Sequence, residues 1–155
     1  MLALIMVGVQ GGGKTTIAEK RIKEIVPFTL VSASADNYFM HCGKYYFDFT
    51  KLGAAHNQCM KHFAGGIVGG ASLVICDNTN CSVEEIAPYI ALARAYDYDV
   101  EIIRVDCDPE VAAARNTHGV PREAVLAKYK QFKKRLLPSH IKFDDRVKVT
   151  EIFND

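Results

Sequence analysis

The chain has 155 residues, 49% of them hydrophobic and 24% charged, and a formal net charge of +1, which fits one globular domain with a buried core and gives no reason to expect a second. Its longest apolar run, Met1 to Val9, is too short to cross a bilayer and lacks the flanks of a signal peptide, so a cytosolic protein is expected and a membrane partner is not. Five cysteines (Cys42, Cys59, Cys76, Cys81, Cys107) without a C-x-x-C pair argue against a disulfide framework or a structural zinc site and read as small buried hydrophobes. From Pro121 to Lys148, nine Lys or Arg stand against three Asp or Glu, an excess that reads either as a polyanion-attracting surface or as a solvated helix face.

In chain order, Leu2 to Val9 reads as a buried strand running into GVQGGGKT, Gly8 to Thr15. Thr15 to Val26 has helical spacing with Ile17, Ile22 and Ile25 inward, and Thr29 to Ser32 is a short second strand that ends in SASADNYF. Leu52, Ala55, Cys59 and Phe63 keep helical spacing within Thr50 to Ala64, with His56 beside that stripe as core or helix-edge packing. A third strand, Ser72 to Asp77, closes on DNTN; a helix from Val83 to Ala95 and a strand from Val100 to Asp106 follow. Pro109 to Arg115 is a short helix, NTHGVP a loop, and Arg122 to Leu136 a helix presenting Val125, Tyr129, Phe132 and Leu136 on one face. Val147 to Ile152 is the last strand. This alternation predicts an α/β fold of three layers, a mostly parallel central sheet of about five strands between helices, with ligands at the carboxyl ends of the strands.

GVQGGGKT meets every demand of a P-loop. Gly11, Gly12 and Gly13 let backbone N–H groups wrap phosphate oxygens, Lys14 supplies charge to the β- and γ-phosphates, and Thr15 offers a hydroxyl to Mg²⁺, with Thr16 next to it in the helix start. Asp36, just past the second strand, can face the same crevice and accept a proton from an attacking hydroxyl; the plainer reading is a helix cap. Asp77, directly after a buried strand, is placed either for the magnesium shell and the acceptor or simply for a turn. Arg115 and Arg122 flank the Gly119-containing loop, which suits a lid over about 115–122 that brings Arg to the phosphates; either Arg can instead be a surface residue. Tyr38, Phe39, Tyr45, Tyr46 and Phe47 read as an acceptor pocket that stacks on a base, or as core.

Taken in order, GVQGGGKTT, SADNYF, GKYYFDFTKLGAAH, ICDNTN and RNTHGVPRE resemble the P-loop kinases related to phage polynucleotide kinase, most closely the ATP-binding kinase domain of the Nedd-type ligase-binding proteins and their short relatives. The resemblance runs from Leu2 to about Arg135 and implies ATP and Mg²⁺ as ligands, Lys14 and Thr15 at the donor phosphates, Asp36 as general base, Asp77 near the acceptor, and a lid around Arg115 that closes on ATP. It implies transfer of the γ-phosphate to a hydroxyl, foremost the 5′-hydroxyl of a polynucleotide or nucleotide. Two positions depart from the phage pattern: Phe39 stands where an arginine serves the acceptor strand, and His118 where the lid carries a second arginine. A kinase for a small metabolite, and an ATP-binding module or ATPase without an acceptor, therefore stay open.

Overall fold

A computed structural model of the chain describes residues 1–134, 137 and 141–155. The α-helices and strands follow one another as β1 (Leu2–Val7), α1 (Lys14–Ile25), β2 (Leu30–Ala33), β3 (Met40–His41), β4 (Lys44–Tyr45), α2 (Leu52–Val68), β5 (Leu73–Asp77), α3 (Val83–Ala95), β6 (Asp99–Asp106), α4 (Pro109–Arg115), α5 (Arg122–Phe132) and β7 (Val147–Phe153). Five strands make one parallel sheet in the order β2-β5-β1-β6-β7. In its centre Ile5 of β1 pairs with Cys76 of β5 on one side and Ile102 of β6 on the other. A central parallel strand has protein on both faces, which is why β1 reads LALIMV with no polar alternation.

The two faces of β1 feed different cores. Ala3, Ile5 and Val7 pack with Ala55, Cys59, Phe63 and Ile67 of α2, with Ile86 and Ile90 of α3, and with Phe132 of α5. Leu4 and Met6, with Ile75, Ile103 and Val105, face α1 through Ile17, Ala18, Ile22 and Ile25. Each large aliphatic side chain buried this way contributes roughly 1.5–3 kcal/mol. Helix α3 starts where Ser82 and Glu85 exchange side-chain and backbone hydrogen bonds, a reciprocal cap that fixes its first turn.

Several boundaries differ from the sequence expectation for local reasons. β1 stops at Val7 because the Gly8 N–H leaves the ladder and donates to the Thr79 carbonyl, 2.9 Å away. The helix expected from Thr50 opens as a 3₁₀ turn, Phe49–Lys51, capped by the Asp48 carboxylate, and α2 runs on to Val68. α5 ends at Phe132, with Lys133 as its C-cap and Lys134 already outside the helix, so the helix expected to Leu136 is shorter there; Arg135 and Leu136 lie outside the described residues. The β3–β4 hairpin, absent from the sequence reading, turns on Cys42 and Gly43, both with positive φ. The basic stretch is partly neutralised by acids elsewhere in the chain: Lys128 pairs with Glu85 at 3.0 Å, Lys133 with Asp106 at 2.5 Å, and Arg146 with Asp97 and Asp99. Among the described residues no helix is long and apolar enough to cross a membrane.

Candidate active site

The segments that leave β1, β2 and β5 at their carboxyl ends converge on one cleft of about 940 Å³. One half is made by the loop between β1 and α1. Gly11 and Gly13 have φ of 75° and 87°; a Cβ at Gly11 would run into the Ala112 carbonyl oxygen, and one at Gly13 into the side chain of Asn154. Lys14 turns back to donate to the Val9 carbonyl at 3.0 Å. Burial pushes its ammonium below the ordinary lysine value, against the opposing pull of Asp77, Cys81 and Asp36. Thr15 Oγ1 donates to Asp77 Oδ2 at 2.8 Å, and burial pushes the Asp77 carboxyl up despite Lys14 and this hydroxyl.

The other half is the 3₁₀ turn Ala35–Phe39 with the β3–β4 hairpin folded against it. Ser34, not Asp36, caps this turn, its hydroxyl accepting from the Asp36 N–H. Asn78 Oδ1 accepts from the Ala35 N–H at 2.8 Å, which ties the turn to the end of β5. The Asp36 side chain, 55% exposed, is left to face the cleft, where Tyr45 Oη donates to its Oδ1 at 3.0 Å and His118 Nε2 lies 3.9 Å from its Oδ2.

Of the residues singled out in the sequence, Gly11, Gly13, Lys14, Thr15, Thr16, Asp36, Phe39, Tyr45, Phe47, Asp77 and Arg115 line the cleft together. Gly12 sits behind it, its N–H on the Val9 carbonyl and its own carbonyl on Asn154. Tyr38 faces a neighbouring hollow of about 610 Å³ with Tyr46 and Lys51. Phe39, where the phage kinase pattern has arginine, is 2% exposed and belongs to the core. Arg122 is not among the cleft-lining residues: it opens α5 pointing back at α4, and its guanidinium forms a two-armed ion pair with Glu110. His56 is an exposed residue of α2 that lines the cleft, outside the apolar stripe formed by Ala55, Cys59 and Phe63.

A family model described as an AAA domain matches residues 4–138. The chain belongs to this AAA domain family. NEDD4-binding protein 2 of Homo sapiens is 32% identical over 139 residues, which are 85% of this chain and 8% of that protein. The chain thus spans a small part of that relative's length. Among solved structures, the Pnkp1/Rnl/Hen1 RNA repair complex contains a chain that superimposes with a TM-score of 0.68 at 18% identity, over 92% of this chain and 46% of that one. The APS kinase CysC of Mycobacterium tuberculosis, in complex with AMPPNP and APS, gives 0.61 at 15% identity, over 99% and 88%. The fold is that of a P-loop kinase-like domain, and it implies nucleotide binding.

The residues present fit a nucleotide and its cation. The loop has no room for side chains at Gly11 and Gly13, and Lys14 beside it supplies the positive charge that phosphate oxygens need. Mg²⁺ bound with phosphates keeps waters and takes only one or two protein oxygens, a demand the Thr15 hydroxyl and Asp77 carboxylate meet.

Sequence reasoning missed two supports. Asn154, directly after β7, donates through Nδ2 to the Gly12 carbonyl at 2.9 Å, and its own carbonyl accepts from Arg115 Nη1 at 3.4 Å. Asn78 belongs to a stretch read for Asp77 alone. Nothing local marks Asn154, because its partners are 142 and 39 residues away. The hairpin did carry a signal, a two-residue loop ending in Gly between His41 and Lys44.

Proposed function

We propose that the protein is an ATP-dependent kinase that transfers the γ-phosphate to a hydroxyl acceptor, foremost the 5′-hydroxyl of a polynucleotide or nucleotide. The observation that carries this reading is the position of Asp36: a carboxylate free of any capping duty, in the same cleft as the glycine loop and Lys14. A switch that only hydrolyses or holds ATP has no need for a second, aromatic-lined half of the cleft. Similarity in fold to a chain of an RNA repair complex supports the nucleic-acid side of the acceptor.

In this mechanism the backbone of Gly11–Gly13 and the Lys14 ammonium hold the donor phosphates, and Arg115, at the cleft edge, offsets charge on the oxygens of the moving group. Bound Mg²⁺, with Thr15 and Asp77 as its protein partners, would neutralise charge on the phosphate oxygens. Asp36 orients the acceptor hydroxyl and takes its proton. Most of the rate enhancement comes from holding donor and acceptor in line.

The buried Phe39 favours a second reading, a kinase for a small hydroxylated metabolite, because it leaves no cation at the place where the phage pattern grips an acceptor phosphate. Incubation with γ-labelled ATP and 5′-hydroxyl RNA, DNA or nucleoside monophosphates tests the first reading. Label in the oligonucleotide is the expected result. Label only in a small metabolite moves the acceptor to the second reading, and label in no hydroxyl compound overturns both.

A further inference from the structure

The carboxylate of Asp36 is controlled from two sides that belong to different parts of the chain. Its backbone is set by the sheet, through Ser34 Oγ on its own N–H and Asn78 Oδ1 on the N–H of Ala35. Its side-chain orientation comes from the hairpin. Tyr45 is placed by the pairing of β4 with β3, Met40 opposite Tyr45, and by the Tyr46 N–H, which donates to the Phe39 carbonyl at 2.8 Å. Phe39 is buried at the end of the turn that carries Asp36, so the hairpin folds back onto that turn and brings the Tyr45 hydroxyl to Oδ1 at 3.0 Å.

The third participant comes from the loop between α4 and α5. Asn116 shapes this loop, its Oδ1 accepting from the His118 N–H at 3.0 Å and its Nδ2 donating to the Val120 carbonyl at 2.8 Å, while Gly119 takes a φ of 68°. The His118 ring is thereby set against the Tyr45 ring, centroids 4.4 Å apart, with Nε2 3.9 Å from Asp36 Oδ2. That separation is too long for a hydrogen bond. It leaves Oδ1 engaged by Tyr45 and Oδ2 as the oxygen available to an acceptor hydroxyl.

We propose that Tyr45 is a positioning residue for Asp36, and that His118 latches the loop onto the same pair, so that loop closure and orientation of the base are one event. This rests on the reading of Asp36 as the base of a kinase. In the transfer step the acceptor O–H proton passes to Oδ2 and the acceptor oxygen bonds to the γ-phosphorus. The bond from that phosphorus to the β–γ bridging oxygen breaks, its electron pair leaving with ADP. Tyr45 stays a donor throughout, since burial and the charge of Asp36 both hold its phenol above the ordinary tyrosine value. The loop read from sequence as a cover for the donor phosphates therefore also acts on the acceptor side.

Two measurements test this on the full chain. Tyr45→Phe keeps the ring against His118 and removes only the hydroxyl. It is expected to lower kcat between about ten- and a hundredfold, the scale of a misoriented reacting group, with KM for ATP unchanged. Added to Asp36→Asn it is expected to cause no further loss. A kcat within twofold of the parent, a raised KM for ATP, or independent multiplicative losses in the double variant would overturn the positioning role. The second measurement is amide hydrogen exchange over residues 116–121 without substrates. Tyr45→Ala and His118→Ala are each expected to speed it at least fivefold, with the melting temperature held within 2 °C of the parent, and unchanged exchange would overturn the latch. A parent protein that phosphorylates no hydroxyl overturns the kinase reading and the positioning role together, while the exchange result still decides the latch.

Discussion

On the donor side of the cleft the backbone is pinned from several directions, by Ala112 against Gly11, by Asn154 against Gly12 and Gly13, and by the Lys14 ammonium on Val9. On the acceptor side Tyr46, Phe47, Phe49 and Met40 stand largely in solvent, and Tyr45 and His118 hold each other. On the proposed kinase reading, the difference follows from what each half would recognise. A triphosphate, the same in every turnover, rewards a fixed cradle, whereas an acceptor would be met by exposed aromatic faces on and beside a short hairpin. One consequence is that the two halves should answer to mutation differently, the donor half through ATP binding and stability as well as turnover, the acceptor half through turnover alone.

The largest effect expected is that of Lys14→Ala, which removes the half-buried cation at the end of the glycine loop. Phosphoryl transfer should fall by at least about a thousandfold, on the scale of 4 kcal/mol of electrostatic stabilisation, and calorimetric titration should show ATP binding weakened with it. If ATP binds normally to that variant, the donor half has been assigned to the wrong loop.

Gly11→Ala comes next. It forces a Cβ into the Ala112 carbonyl at a positive φ, and the strain should lower stability by about 2–4 kcal/mol in urea unfolding. Tyr46→Ala sharpens the contrast from the other half: the ring is 56% exposed, and the same unfolding experiment should register a change below about 0.5 kcal/mol. Equal losses in the two variants would erase the distinction between a rigid and an adaptable half. The smallest effect is expected from Arg122→Ala. With its guanidinium engaged by Glu110 away from the cleft, transfer rates should stay within about twofold of the parent, the range of an ordinary exposed ion pair.

The donor half was the more legible in the sequence because its chemistry is local. Eight consecutive residues carry the loop, the charge and the hydroxyl, and the apolar run before them and the helical spacing after them supply the context. The middle of the sheet was legible for a similar reason, since β1 and β5 are continuous apolar runs closed by Gly8 and Asp77. The acceptor half was less so. Strands of two residues leave no periodicity, and the hydroxyl of Tyr45 meets Asp36 nine residues away only once the chain has reversed at Cys42 and Gly43. Arg122 looked like a ligand because it borders the loop, but helix direction turns it toward α4, and no spacing rule in the sequence records that. His56 lies beside the buried stripe of α2, and its exposed side chain lines the cleft, which helical spacing does not record.

The most direct test is a comparison of Asp36→Asn with the parent protein, measuring ATP affinity by titration and γ-phosphate transfer to a 5′-hydroxyl oligonucleotide in the same preparation. The expected result is ATP affinity within about twofold and a kcat lower by about a hundred- to ten-thousandfold, the contribution of a positioned base. Undiminished transfer by the asparagine variant would contradict the role given to Asp36.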